Sequence, residues 1–73
     1  MSAKMYMLCA NAATIFRTSR DRLSRQMTRI QRHIKSSPGN AAALRNLYKS
    51  QQKEMDTILI VLTCLQKLTN DRD

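Results

Sequence analysis

The only proline and the only glycine of this 73-residue chain are adjacent, at Pro38 and Gly39. They lie in the segment Ser-Ser-Pro-Gly-Asn at residues 36–40, whose residue types are typical of a turn. On either side strong helix formers dominate, and apolar residues recur at helical spacing. The sequence therefore predicts a single domain over residues 1–73 with two helices, at 5–35 and 41–69, joined by a turn at 36–40.

Each predicted helix carries one stripe, mostly apolar, in which the steps alternate between three and four residues. This spacing is typical of helices that pack against each other at about 20°, and both helices would be about 45 Å long. The prediction is an all-α, two-helix antiparallel hairpin of the coiled-coil type, with Glu54 within reach of Arg20 near its middle. The stripes are Cys9, Ala13, Phe16, Arg20, Leu23, Met27, Ile30 and Ile34, and Leu44, Tyr48, Gln51, Met55, Ile58, Leu62 and Leu65.

Residues 58–65 read Ile-Leu-Ile-Val-Leu-Thr-Cys-Leu, so the second helix is apolar nearly all the way round at this point. A helix that packs on one neighbour needs an apolar stripe only about 100° wide. The excess predicts a partner-binding surface that completes the hairpin, and covering it fully would contribute roughly 6–10 kcal/mol before association costs. Met5 and Leu8 of the first helix could extend this surface or fold over it. Its residues are Ile60, Val61, Cys64 and Leu68.

Two kinds of molecule could cover that surface. A different protein is one, and a second copy of the chain, forming a four-helix bundle, is the other. Some cover is expected because a single core of this size rarely supplies more than about 3–5 kcal/mol of net stability.

Thirteen Lys and Arg residues against five Asp and Glu give a net charge of +8. Residues 17–35 hold seven of the basic residues and one acidic residue, Asp21. A row of arginines can pair with carboxylates of an acidic protein, with the phosphates of nucleic acid, or with solvent alone. The chain has only three aromatic residues for base stacking, which weakens the case for nucleic acid. A basic hairpin dimer that binds RNA or DNA is therefore kept as the alternative to protein binding. The basic face consists of Arg22, Arg25, Arg29 and Arg32.

Several functional classes have no support in the sequence. With two isolated cysteines, one histidine and no glycine-rich loop, we expect no enzyme, no metal site and no cofactor. Both Cys9 and Cys64 occupy apolar helical positions, where a buried cysteine is the usual case. The apolar start has a single basic residue, Lys4, which does not fit a signal peptide, and the 58–65 run is far shorter than the roughly 18 residues of a membrane span. We expect a soluble, cytoplasmic protein.

Residues 45–62, Arg-Asn-Leu-Tyr-Lys-Ser-Gln-Gln-Lys-Glu-Met-Asp-Thr-Ile-Leu-Ile-Val-Leu, resemble the second helix of the small YscE-type co-chaperones of bacterial type III secretion. Proteins of that family are helical hairpins of similar length with a glycine-containing turn, and they carry an aromatic residue upstream of an isoleucine-rich run. Tyr48 and residues 58–62 correspond to those two features here. The resemblance implies a cytoplasmic partner of a TPR-like chaperone, the two together keeping a needle subunit soluble until export. Needle subunits, which are also small helical hairpins, are the nearest alternative within that machinery.

Overall fold

The computed structural model describes residues 2–70 and shows two long helices. Helix α1 comprises Ala3–Ser36, a single 3₁₀ turn follows at Pro38–Asn40, and helix α2 comprises Ala41–Asn70. The helices pack against each other over their length in a rod of 55 × 15 × 12 Å. The predicted all-α hairpin is confirmed.

Helix α1 begins at residue 3 because Ser2 caps it. The Ser2 hydroxyl oxygen accepts a hydrogen bond from the backbone N–H of Met5 at 3.2 Å, and the Ser2 carbonyl accepts from Tyr6 N–H at 2.9 Å. A serine in this position satisfies one of the backbone donors that the first helical turn leaves free. The predicted start at residue 5 was therefore two residues late.

The chain reverses direction through Ser37 and Pro38. Ser37, at φ −133° and ψ 73°, leaves the helical conformation, and its N–H donates to the His33 carbonyl at 2.9 Å. Pro38 then opens the 3₁₀ turn, where its missing N–H removes no helical hydrogen bond. Gly39 has no positive φ, and a methyl group on it would meet nothing within 4 Å. The turn was predicted at the right place, but its geometry does not depend on the glycine.

The helices meet along the two predicted stripes, all of whose members are buried or half-buried. At the centre Leu23, Met27 and Ile58 form a cluster, and four half-buried side chains pack against it. No large side chain among residues 2–70 is less than 2% exposed, so the core is a single thin layer. The four surrounding side chains are Phe16, Tyr48, Met55 and Leu62.

Polar contacts flank the core on both helices. The Gln31 amide donates to the Tyr48 hydroxyl at 3.2 Å. The Gln51 amide nitrogen donates to the Gln26 side-chain oxygen at 3.4 Å, while the Gln51 side-chain oxygen is buried without a partner. Arg20, predicted within reach of Glu54, instead bonds to its neighbour Asp21, with Nε and Oδ1 3.2 Å apart. The Arg20 side chain is 39% exposed and that of Asp21 59%, so the pair lies at the edge of the seam and does not join the two helices.

Threonine hydroxyls turn back onto their own helices. Five of them donate to the carbonyl four residues earlier, at 2.9–3.1 Å. Such a bond satisfies the hydroxyl within a helix. The residues are Thr14, Thr18, Thr28, Thr57 and Thr63.

Candidate protein-binding face

The two halves of the hairpin have different surface charges. We call residues 20–53 the turn half, and residues 2–19 with 54–70 the open half. The turn half holds nine Lys and Arg residues against one acidic residue, a net charge of +8. The open half holds three against two, a net charge of +1.

Exposed apolar side chains show the opposite distribution. Eight large hydrophobic residues have roughly half or more of their surface exposed, and seven of them belong to the open half. The exception is Leu47, at 46% exposed. Scattered apolar residues are normal on a protein surface, but a group confined to one region indicates an interaction site. The seven are Met5, Met7, Leu8, Ile15, Leu59, Ile60 and Leu68.

Within the open half, one side of the hairpin is polar. Here α1 and α2 border a groove in which most of the lining side chains can form hydrogen bonds or carry charge. A groove of this composition remains hydrated, so we do not expect an apolar partner on this side. Its polar lining consists of Tyr6, Thr14, Arg17, Gln66, Thr69 and Asn70.

The other side of the open half is apolar. Near the middle of the hairpin a groove on this side lies between Ser19 of α1 and Glu54 and Ile58 of α2, among others. Residues at steps of three and four share a face of a helix. On α1, such steps lead from Ser19 toward the chain end through Ile15 and Ala12 to Leu8. On α2, they lead from Glu54 and Ile58 toward the other chain end. The residues reached there are Val61, Leu65 and Leu68. Both helices therefore contribute apolar residues to the same side.

The four partner-binding residues predicted from the sequence lie together on α2. Ile60 is 64% exposed and Leu68 50%, Cys64 is exposed, and Val61 is half-buried. Leu59, Ile60 and Cys64, with Thr63, line a shallow depression on the outer surface of this helix. This part of the surface thus extends from the apolar side of the hairpin onto the back of α2.

We define the apolar face as these four residues of α2 together with Leu8 and Ile15 of α1. Leu8 was considered from the sequence, but Ile15, at 66% exposed, was missed. Its position seven residues after Leu8 indicates that the two share a face of α1, but not which side of α2 that face adjoins. The expected burial of cysteines is confirmed for Cys9 and wrong for Cys64, because Cys64 lies away from the seam.

The predicted basic face is exposed along α1. Arg25, Arg29 and Arg32 line one open groove with Ser24 and Thr28. Arg22 instead borders the groove that contains Glu54. Among residues 2–70 the one ion pair joins Arg20 to Asp21, so the four arginines of this face are available to an anionic partner.

A second basic groove lies nearer the turn. Lys35, Arg45 and Lys49 surround it together with Gln31, Ile34 and Tyr48, and it encloses about 370 Å³. The turn half therefore presents positive charge from both helices, in contrast to the weakly charged open half.

The part of the chain that the structure describes shows neither a membrane-spanning helix nor a cluster of metal ligands. No helix within residues 2–70 is long and apolar enough to cross a membrane. The same residues contain no group of three or more His, Cys, Asp or Glu side chains that could hold a metal ion. No protein-family model, curated protein or solved structure matches the chain.

Proposed function

We propose that the protein is a helical protein-binding module that docks its apolar face onto a different, helical protein. The observation that carries this proposal is the confinement of seven of the eight exposed large hydrophobic residues to the open half. Because the seam already occupies the inner surfaces of both helices, these side chains remain about half exposed within the described chain. Their natural cover is another molecule.

The energetics support docking of this kind. The core is a single thin layer, and a chain of this size gains little more than about 3–5 kcal/mol of net stability from such a core. The four α2 residues of the apolar face are only partly exposed, so covering them yields roughly half of the 6–10 kcal/mol expected for their full exposure. That amount is still comparable with the stability of the hairpin alone, so a partner would stabilise the fold as well as bind it.

The specific role that we propose is that of a cytoplasmic co-chaperone. Paired with a TPR-like chaperone, the hairpin would keep a type III secretion needle subunit soluble before export, as the resemblance of residues 45–62 implies. The charge of the turn half supports an acidic partner, since a concave helical surface with carboxylates at one end would complement both halves.

Co-purification tests the proposal. The tagged full chain would be expressed in its native cell, and the proteins that it retains would be identified by mass spectrometry. Ile60→Asp should remove the partner, because it introduces a charge into the apolar face at the most exposed large hydrophobic residue of α2. Leu47→Asp is the matched control, since Leu47 is also half exposed but belongs to the turn half. Retention of the same partner by Ile60→Asp and by the parent chain would overturn the proposal.

Binding to RNA or DNA is the second candidate function. The groove lined by Arg25, Arg29 and Arg32 favours it, because a protein can bind phosphates by charge alone. The aromatic residues give nucleic-acid binding little support. Phe16 packs against the core and Tyr48 is half-buried and bonded to Gln31, which leaves few rings on which bases could stack.

A further inference from the structure

We propose that, when its partner is absent, two copies of the chain cover each other's apolar face. In this pair the open half of one copy lies on the open half of the other in antiparallel alignment, and the turn halves point away from each other. The pair uses the same face as the partner in the proposed function, so the two complexes exclude each other.

The area required is available within the open half. A stable protein interface covers about 800 Å² on each partner. This is about one seventh of the 5714 Å² surface of the hairpin, whereas the open half accounts for about half of its length. An interface of sufficient size can therefore form without reaching the basic turn half.

Charge also permits the open halves to meet. Each carries a net charge of only +1, and the apolar face itself contains no charged side chain. A surface of this kind is complementary to its own copy, which is the requirement for a two-fold symmetric interface. The polar groove around Tyr6 and Arg17 lies on the opposite side and remains in water.

The charge of the turn halves decides between the two symmetric arrangements. A two-fold axis parallel to the rods would place two turn halves of charge +8 side by side. An axis perpendicular to the rods, through the middle of the apolar face, separates their centres by about one hairpin length, 55 Å. At physiological salt, charges are screened beyond about 8 Å, so only the second arrangement avoids the repulsion.

The position of Cys64 provides a reporter for this geometry. It is an exposed member of the apolar face and lies one helical turn from both Ile60 and Leu68 on α2. Two cysteines can be joined when their Cα atoms are about 4.4–6.8 Å apart. With a mild oxidant supplied in the assay, we expect Cys64 to cross-link the pair, whereas Cys9, buried in the seam, should not.

Sedimentation equilibrium of the purified full chain tests self-association. We expect a dimer whose dissociation constant changes little between 150 and 500 mM NaCl. The turn halves lie farther apart than the roughly 8 Å over which charges interact at physiological salt, so added salt has little repulsion left to screen. Ile60→Asp, and independently Ile15→Asp on α1, should raise that constant by about 100-fold or more. Leu47→Asp should leave it within about twofold. Helical circular dichroism at low temperature would verify that each variant is folded.

X-ray scattering of the unmodified chain distinguishes the arrangements. Overlap of the open halves predicts a maximum dimension about one and a half times the 55 Å length of one hairpin, whereas full-length or parallel pairing predicts about 55 Å. Four results would each overturn the inference. They are a monomer at all concentrations, larger assemblies, a dimer about 55 Å long, and a dimer that Leu47→Asp disrupts. A chain that is monomeric alone but retains a partner through Ile60 would overturn it and leave the proposed function intact.

Discussion

The turn half and the open half of the hairpin share one seam but place their large side chains differently. In the turn half, Leu23, Met27 and Ile30 point inward and are buried, and the outer surface of α1 is rich in arginine. In the open half two inward positions of α1 are small, Cys9 and Ala13, beside the larger Phe16, while seven large apolar residues lie outside. The turn half is thus an ordinary amphipathic hairpin, whereas the open half also has several large apolar side chains available to another molecule.

Two isoleucines of α2 give the sharpest test of this difference. Ile58 is 9% exposed and belongs to the central cluster, and Ile60, two residues later, is 64% exposed. Ile58→Asp should cost about 3–5 kcal/mol, because it buries an unpaired charge, and should abolish most of the helical circular dichroism. Ile60→Asp should change the stability of the hairpin itself by about 0.5 kcal/mol or less. Equal losses of helicity in the two variants at low protein concentration would show that the seam is misplaced.

Salt dependence tests the role of the basic surface. If Arg22, Arg25, Arg29 and Arg32 each neutralise one phosphate, affinity for mixed RNA and DNA should fall by about 100-fold between 50 and 200 mM salt. Binding through the apolar face should change little over that range. We expect weak nucleic-acid binding at physiological salt, measured by fluorescence anisotropy. Tight binding there, abolished when the four arginines become glutamine, would reverse the order of the two candidate functions.

A smaller effect is expected at Gln51 in the seam. Its side-chain oxygen is buried without a partner, and its amide makes only a long bond to Gln26. Gln51→Leu should stabilise the hairpin by about 1 kcal/mol, since it removes an unsatisfied polar group. This corresponds to a rise of about 4–8 °C in Tm. The exposed neighbour Gln52 is the control, because Gln52→Leu removes a bond to Asp56 and should give no such rise.

The smallest effect is expected in the turn. Gly39 has no positive φ and has open space at the Cβ position. Gly39→Ala should therefore stabilise the protein by about 0.4–1 kcal/mol, mainly by restricting the unfolded chain. Ala43→Gly, at an exposed position of α2, should have the opposite effect in the same thermal unfolding experiment. A large loss of stability in Gly39→Ala would mean that the turn requires glycine after all.

The seam could be predicted from the sequence because it depends on periodicity within each helix and on one well-marked turn. Ile15 was missed for a different reason. Periodicity shows that Leu8 and Ile15 share a face of α1, but it does not show which side of α2 that face adjoins. That relation follows from how the two helices lie against each other in space, as the groove around Ser19 and Glu54 reveals.

Two other details could not be predicted from the spacing of apolar residues. The early start of α1 depends on one hydrogen bond from Met5 N–H to the Ser2 hydroxyl oxygen. The choice of Asp21 over Glu54 as the partner of Arg20 depends on the rotamer of one exposed side chain. Neither is encoded in the spacing of apolar residues, so both required atomic positions.

The hydrogen bonds of the threonine hydroxyls affect the cost of dehydration when the apolar face is covered. Thr63 lines the depression that contains Ile60 and Cys64, and Thr57 lies one helical turn before Val61. Both hydroxyls already donate to carbonyls of α2, at 2.9 and 3.1 Å. When a partner molecule displaces water from these two residues, both hydroxyl groups keep their intrahelical hydrogen bonds. The free-energy penalty of burying an unpaired hydroxyl group is therefore largely avoided.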